Sequence, residues 1–217
     1  VDGQEGLELA IEHSPDIVIC DLMMPRMDGF EFCKHLKSDE RSSHIPVVML
    51  TAKATLEDRI EGFDVGADEY LTKPFNKNEI QSRVKNLLKK QEKLRRYFST
   101  KTLEMKPSEL KVSAVDENFL KKIKTVLEEN LANSQFGVVE FSTAMNMSKS
   151  QLNRKLNALC NSSGNELIRE FRLQRAAELL TKKTGTVSEI AYQVGYEHLS
   201  YFSKSFQEKF GKLPSEY

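Results

Sequence analysis

Three side chains that could take part in chemistry each follow a short apolar run. Asp21 comes directly after the apolar residues 17–20, Thr51 follows those at 47–50, and Lys73 lies two residues beyond Leu71. Runs of this length indicate buried strands, and open parallel sheets bind ligands at the carboxyl ends of their strands. A carboxylate can accept a phosphoryl group when the charge on the transferred oxygens is neutralised. The spacing therefore predicts an acid site around Asp21 at one sheet edge.

The elements that would position these residues alternate between apolar runs and amphipathic segments. The pattern predicts strands at 16–20, 47–50 and 69–71, and helices at 4–12, 30–37 and 56–65, with Gly66 as the C-cap of the third helix. A further long helix begins near residue 78. This alternation is typical of an α/β domain whose parallel strands are joined by right-handed crossovers.

The long helix carries a seam spaced in alternating steps of four and three residues. Its members are Ile80, Val84, Leu87, Gln91, Leu94 and Phe98. Two interpretations stay open. The first half of the helix packs on the sheet and the remainder is a solvated spacer, or the seam forms a dimeric coiled coil. A polar stretch at 99–114, which contains proline, then separates the two halves of the chain.

Composition restricts the class of protein and its compartment. The chain has 32 basic and 32 acidic residues, which argues against indiscriminate coating of nucleic acid. Residues 1–90 hold 12 Lys+Arg and 17 Asp+Glu, whereas residues 116–217 hold 14 and 12, so the two halves have separate roles. Cys20, Cys33 and Cys160 lack metal-site spacing and are expected to be buried thiols. With neither a signal peptide nor a run long enough to cross a bilayer, we expect a cytoplasmic location.

The second half of the chain predicts only helices. Asp116 is expected to be the N-cap of a helix over 119–131. Residues 139–156 then resemble residues 188–206, and each copy reads as a short helix, a tight turn and a second helix. The pattern predicts two helix-turn-helix units, at 138–160 and 187–210, joined by a helix over 165–181. A rod of that length, roughly 25 Å, can hold two reading helices near one DNA turn apart.

Helical periodicity separates core positions from candidate DNA contacts. Leu152, Leu156 and Leu159 share the core face, which leaves the polar side chains near the helix start toward the groove. The predicted contacts are Ser148, Lys149, Ser150, Asn153 and Arg154 in the first unit, and His198, Leu199, Ser200, Tyr201 and Lys204 in the second. Arginine can bind guanine bidentately and asparagine can bind adenine. The arginines of the joining helix (Arg169, Arg172 and Arg175) are expected to be solvated or salt-bridged.

The acid site resembles that of the response-regulator receiver family. Residues 21–29 (DLMMPRMDG) resemble the phosphorylation loop, while Thr51 and the Lys-Pro-Phe sequence at 73–75 resemble the family's other landmarks, in the same order. The resemblance implies that Asp21 is the phosphoacceptor and that Thr51 and Lys73 contact the phosphoryl group. It also implies Tyr70 as the switch aromatic, a cis bond before Pro74, and Mg²⁺ held by Asp21 and the Met23 backbone carbonyl.

The chain departs from the receiver family at its start. The family's domain opens with a strand that ends in two adjacent acids, the other Mg²⁺ ligands, followed by a helix and a second strand. None of these matches this chain, whose first residues resemble the segment after that second strand. We therefore expect an N-terminally incomplete receiver over 1–90, with an exposed sheet edge and weakened Mg²⁺ binding and phosphorylation.

Residues 116–217 resemble the AraC-type DNA-binding domain over their whole length. The matching segments are MSKSQLNRKL at 147–156, RLQRAAELL at 172–180, VSEIA at 187–191, YFSKSF at 201–206 and GKLPSEY at 211–217. The resemblance implies an all-α domain that binds double-stranded promoter DNA. The expected fold is thus an α/β, flavodoxin-like receiver with a doubly wound parallel sheet, a linker over 91–115, and this helical domain.

The combination resembles the C-terminal part of hybrid two-component sensor kinases. It implies a phosphorylation-controlled transcription regulator without enzyme activity of its own, supplied with phosphate by a histidine kinase in cis or in trans. Further implied partners are a second copy, through the receiver and the long helix, and RNA polymerase; the complete protein would be anchored in the inner membrane.

Two other classes of protein are also considered. A haloacid-dehalogenase-type phosphatase would need a second acid where Met23 stands. Alternatively, the receiver remnant is only a dimerisation module, and the DNA binding is independent of phosphate.

Overall fold

A computed structural model describes residues 2–52, 65–101 and 113–217, and the side chains of 97–101 are outside this description. The chain divides into two compact units. The first comprises Val1–Phe119 together with Arg154–Asn161, and the second comprises Leu120–Asn153 together with Ser162–Tyr217. Most of the predicted helix at 56–65 and the stretch 102–112 lie outside the described residues.

The first unit is built on a parallel sheet of three described strands. These are β1 (Val18–Asp21), β2 (Val47–Thr51) and β3 (Glu69–Thr72), in the order β1-β2-β3. The described helices are α1 (Gly3–His13), α2 (Gly29–Ser38) and the long α3 (Lys77–Lys101). Among the described strands β1 pairs with β2 alone, and the side chain of Ile19 in β1 is 45% exposed. The predicted α/β alternation is confirmed.

Apolar side chains cover both faces of this sheet. One core cluster joins Phe32 and Leu36 of α2 to Val47 and Met49 of β2, and a second joins Val48 and Leu71 to Leu87 of α3. Alternate residues of a strand point to opposite faces, so consecutive β2 residues serve the two clusters. Burial of Leu87, with Ile80 partly buried beside it, agrees with the interpretation that the first half of α3 packs on the sheet.

The remaining described helices begin with α4 (Ala114–Glu129), which starts earlier than predicted. The prediction that Asp116 is its N-cap is wrong, because the Ser113 hydroxyl accepts the Asp116 N–H at 3.1 Å and Asp116 lies in the first turn. Serine just before the helix provides the cap, so the Asp116 carboxylate is available for other partners.

Five helices follow the pattern of the internal repeat. They are α5 (Val138–Ala144), α6 (Lys149–Cys160), α7 (Gly164–Thr181), α8 (Val187–Gln193) and α9 (Leu199–Phe210). The predicted helix-turn-helix pairs are therefore α5–α6 and α8–α9, with α7 as the joining helix. The tight turns contain Asn146 at φ 56° and Gly195 at φ 81°. A Cβ on Gly195 would also lie 2.5 Å from the Leu131 carbonyl oxygen, so this turn requires glycine.

Among the described residues, no helix is both long enough and apolar enough to cross a bilayer.

Candidate functional sites

The acid site is assembled by three neighbouring strand ends. Asp21 is the last residue of β1, Thr51 is the last of β2, and Lys73 directly follows β3. Backbone hydrogen bonds extend the ladder past the strands: the Leu22 N–H donates to the Leu50 carbonyl at 2.8 Å, and the Lys73 N–H donates to the Thr51 carbonyl at 2.7 Å. The three residues singled out from the sequence therefore share one sheet edge.

Lys73 and Asp21 form an ion pair at this edge. The Lys73 ammonium contacts Asp21 Oδ2, and the Met23 N–H donates to Asp21 Oδ1 at 3.3 Å. The hydrogen bond from Lys73, assisted by those from the loop backbone, holds the pKa of Asp21 below its usual range. The two side chains are 39% and 37% exposed, so the ionised carboxylate is accessible to a small reagent.

The loop after Asp21 is fixed by a glycine and a helix cap. A Cβ on Gly29 would lie 2.6 Å from the Asp21 carbonyl oxygen, so the close return of the chain requires glycine. Asp28 caps α2 by accepting the Glu31 N–H at 2.9 Å. Met23 is 81% exposed beside the acid site.

The two predicted switch residues lie inside the unit. Thr51 is buried at the end of β2, and Tyr70 of β3 is buried in the cluster that contains Met49 and Phe32. The Lys73–Pro74 peptide bond is cis, as predicted.

The described residues supply only part of a Mg²⁺ site. Of the predicted ligands, Asp21 would contribute one carboxylate and Met23 a backbone carbonyl, whereas Mg²⁺ requires six ligands in octahedral geometry. Among the residues that the structure describes, no group of three acidic, histidine or cysteine side chains could hold a metal ion. These ligands alone do not complete the coordination of the ion.

The first helix-turn-helix presents a polar helix start. Ser148, Lys149 and Ser150 are exposed, and the Ser148 hydroxyl accepts the Gln151 N–H at 3.2 Å. Leu152, Leu156 and Leu159 are buried, as their spacing predicts. The Nε of Arg154 is buried and has no hydrogen-bond partner among the described residues, so only part of its guanidinium faces outward.

Asn153 has a structural role that the sequence interpretation missed. Its Oδ1 accepts the Gly164 N–H at 2.8 Å and so ties α6 to the first residue of α7. The carboxamide retains its two N–H donors, but its acceptor is already used. A Cβ on Gly164 would lie 2.7 Å from Val138, so the close contact that permits this hydrogen bond requires glycine.

The second helix-turn-helix places four of its five predicted contacts on the surface. His198, Ser200, Tyr201 and Lys204 are exposed. Leu199 differs, because it is half-buried and packs against the core cluster that contains Phe202 and Phe206. The prediction that it points outward is therefore corrected: it precedes these rings by three and seven residues, which puts it on the same helical face.

Family models match both halves of the chain. Residues 1–85 match the family model described as the response regulator receiver domain, and residues 141–217 match the one described as a helix-turn-helix domain. The chain thus combines a response-regulator receiver domain with a helix-turn-helix domain of the AraC type. Such domains are regulatory and DNA-binding rather than enzymatic.

Two curated relatives match all or part of the chain. Histidine kinase P4 of Formosa agariphila is 44% identical over the whole chain, which covers 16% of that protein. The DNA-binding dual master transcriptional regulator RpaA of Synechocystis is 49% identical over 43% of the chain and 39% of the relative. The chain therefore spans about a sixth of the first relative and two fifths of the second.

Two solved structures are each similar to part of the chain. The receiver domain of Francisella response regulator 1452 is 40% identical over 41% of this chain and 71% of that one, with a TM-score of 0.38. The C-terminal domain of the response regulator yesN from Fusobacterium nucleatum is 25% identical over 46% of this chain and 96% of that one, with a TM-score of 0.43.

Proposed function

We propose that this two-component DNA-binding regulator is controlled by phosphorylation of Asp21 and binds DNA sequence-specifically. The observation that carries the proposal is the accessible Lys73–Asp21 ion pair at a parallel-sheet edge, with Thr51 ending the adjacent strand. A carboxylate held ionised beside a lysine is a ready phosphoryl acceptor.

The chemistry is a transfer between two nucleophiles. An Asp21 oxygen attacks the phosphorus of a phosphohistidine, the P–N bond breaks, and its electron pair returns to the imidazole. The Lys73 ammonium then moves from the free carboxylate to the transferred phosphoryl oxygens, where it neutralises negative charge. Thr51 would hydrogen-bond to the same group. Receiver domains generally bind Mg²⁺, and Asp21 and the Met23 backbone carbonyl would be two of its ligands.

A phosphodonor assay tests Asp21 as the acceptor. The complete protein that carries this chain is incubated with acetyl phosphate and Mg²⁺, and the phosphorylated residue is located by mass spectrometry. Asp21→Asn should abolish the label. Asp28→Asn is the matched control, because asparagine preserves the helix cap at Asp28. Equal labelling of wild type and Asp21→Asn would remove Asp21 from the mechanism.

A second assay separates phosphate control from simple dimerisation. DNA affinity of the complete protein is measured with and without acetyl phosphate, for wild type and Asp21→Asn. The proposal expects affinity to rise with the phosphodonor in wild type alone. Equal affinities throughout would favour the alternative, in which the receiver is only a dimerisation module.

The DNA-reading helices also give distinct expectations. Arg154→Ala should cost ~1–3 kcal/mol of binding free energy and relax preference at one or two base pairs, if its guanidinium reads guanine. Lys204→Ala should weaken all sequences alike, if its ammonium meets phosphate. Selection of sites from random DNA with wild type and each variant separates base reading from backbone contact.

The partners follow from the same scheme. We propose promoter DNA, a histidine kinase domain in cis or in trans, a second copy through the receiver and α3, and contact with RNA polymerase. The Formosa relative, whose name is histidine kinase P4, supports the cis arrangement. The described part of the chain would act in the cytoplasm, where the DNA is, while the complete protein would be anchored in the inner membrane.

A further inference from the structure

A cleft of about 480 Å³ lies within the second unit, beside the first turns of α7. It is bounded by the loop before α5, by the first half of α7 and by the turn that leads into α9. His198 and Tyr201, two of the proposed DNA contacts, form part of its lining. The cleft therefore continues the surface that the proposed function assigns to DNA.

The arginines of α7 differ in their partners. Arg175 pairs with Glu178 at 2.7 Å and lies outside the cleft lining. Arg172 lines the cleft and donates to the carbonyl oxygens of Asn133 and Phe136 at 2.5 and 3.4 Å. Arg169, one turn earlier, also lines it; within the described residues its charge lowers the pKa of Glu166, but it has no ion pair within 4 Å and no hydrogen bond. In the described part of the chain, then, neither cation of the cleft forms a direct ion pair, although Glu166 and Glu197 also line it.

A buried hydroxyl in the same lining also lacks a partner. Tyr196 is 7% exposed, and its hydroxyl makes no hydrogen bond within the described part of the chain. A buried hydroxyl that stays unsatisfied is unfavourable, so a ligand that accepts its hydrogen is favoured. Burial also lowers the pKa of the Arg172 guanidinium, whose positive charge would be stabilised by an anion.

The two carboxylates in the lining already have donors of their own. Glu166 Oε2 accepts the N–H and hydroxyl of Ser163 at 2.8 and 2.7 Å. Glu197 Oε1 accepts from Ser134 and Gln135, both at 2.8 Å. These hydrogen bonds hold the pKa of each carboxylate below its usual range and keep the acceptors turned to fixed partners. The donors available to a ligand include those of Arg169, Arg172 and Tyr196.

We propose that this cleft binds a phosphate group of the DNA backbone, at a position between the segments read by α6 and α9, with Arg169 as the principal contact. Guanidinium binds phosphate through two parallel hydrogen bonds, and the Tyr196 hydroxyl would supply a neutral one. The site would set the register of the two reading helices on DNA without reading a base. The inference rests on the proposed DNA-binding function. A free phosphate has the same chemistry, so the experiment distinguishes the two sources.

The test compares salt dependence of DNA binding across variants of the chain. Arg169→Ala should weaken binding to every sequence by about tenfold and lower the slope of log K against log salt by about 0.9, the value for one phosphate. Tyr196→Phe should weaken binding severalfold with an unchanged slope, since the lost hydroxyl is neutral. Arg175→Ala, on the same helix, is the matched control and should bind as wild type does.

Neutral methylphosphonates locate the phosphate. Replacing backbone phosphates one at a time should reveal a single position, between the two read segments, where wild type loses affinity and Arg169→Ala loses no more. If Arg169→Ala binds DNA with wild-type affinity and an unchanged dependence on salt, the phosphate site alone is overturned. If the wild-type chain binds no DNA at all, the proposed function is overturned together with the site. Inorganic phosphate that binds in the cleft without competing with DNA would overturn the DNA source.

Discussion

Two of the lysine–aspartate ion pairs in the first unit lie in opposite surroundings. Lys73 and Asp21 meet at the sheet edge, where their side chains are 39% and 37% exposed. Lys155 and Asp116 meet at 2.8 Å with side chains that are 0% and 6% exposed. The charged groups are the same in both pairs, so any difference in their roles comes from what surrounds them.

The buried pair is satisfied by a closed set of partners. The Lys155 ammonium donates to the Ser43 hydroxyl at 2.9 Å and to the Glu40 carbonyl, and it lies 4.5 Å from the centre of the Phe119 ring. The Ser43 hydroxyl in turn donates to Asp116 Oδ1 at 2.7 Å. Every donor of the ammonium has a fixed acceptor or ring, which is the condition for a buried charge to be tolerated.

The two pairs differ in whether the aspartate is accessible to a reagent. Burial by itself would raise the pKa of Asp116, but the Lys155 ammonium and the surrounding hydrogen bonds hold it below its usual range. In both pairs, then, the lysine keeps the aspartate ionised. Of the two aspartates, only Asp21 is open to the phosphoryl group that the proposed function requires, because water and small reagents reach it. Accessibility, rather than ionisation, distinguishes an acceptor from a structural ion pair.

The largest expected effect comes from breaking the buried pair. Asp116→Ala leaves the Lys155 charge buried without its counter-ion and should lower the free energy of unfolding by about 3–5 kcal/mol. Asp21→Ala, the matched change in the exposed pair, should cost less than about 1 kcal/mol. Urea unfolding followed by circular dichroism measures both.

Rescue distinguishes the buried charge from lost packing. Adding Lys155→Met to Asp116→Ala should recover much of the loss, since the uncompensated ammonium is then gone. Equal destabilisation by Asp116→Ala and Asp21→Ala would show that burial does not separate the two pairs.

A histidine beside the buried pair gives an intermediate, pH-dependent effect. Burial, followed by the nearby cation Lys155, lowers the pKa of His44 to about 4, with Asp116 opposing and with Lys37 and Arg95 adding to the decrease. His44 takes up a proton near pH 6.5 in the unfolded chain but only near pH 4 in the folded chain, so the free energy of unfolding is undiminished above pH 6.5. It should fall by roughly 2–3 kcal/mol as pH drops toward 4.

The measurement is urea unfolding at a series of pH values between 7 and 4, for wild type and His44→Leu. The variant should lose most of the change in unfolding free energy with pH over this window, since Asp116, whose pKa is depressed, titrates at lower pH. A slope that persists unchanged in His44→Leu would assign it to other groups.

The exposed pair could be predicted from the sequence, whereas the buried pair was not. Asp21 and Lys73 follow short apolar runs, and parallel strands necessarily bring their carboxyl ends to one edge. Asp116 and Lys155 are 39 residues apart and belong to no motif. One signal was present, since Lys155 lies three residues after Leu152 and four before Leu159, on the core face of α6.

The structure also differs from the sequence predictions at Leu199 and Asn153. Helical periodicity places Leu199 on the same face of α9 as Phe202. Its position at the start of the helix led us to expect a DNA contact, but its side chain packs against the apolar core instead. The hydrogen bond from Gly164 to Asn153 has no periodic signal, because it depends on how closely two consecutive helices approach. Local patterns thus predicted the elements and the sheet-edge site, but not the tertiary partners of single polar side chains.

The smallest expected effect on stability, and the most direct on chemistry, comes from Lys73→Gln. Asp21 has a depressed pKa in the folded chain, so the pair stabilises the fold above the unfolded pKa and loses this contribution as pH falls through the folded value. Because both side chains are more than a third exposed, solvent screening limits that contribution to below about 1 kcal/mol.

The pKa of Asp21 should nevertheless rise toward its ordinary value in Lys73→Gln, since the hydrogen bond from Lys73 is the largest cause of the depressed pKa. Titration of the Asp21 carboxyl carbon by NMR measures this, and Lys77→Gln, an exposed lysine at the start of α3, is the control. An unchanged Asp21 titration in Lys73→Gln would mean that the loop backbone, rather than Lys73, keeps the carboxylate ionised.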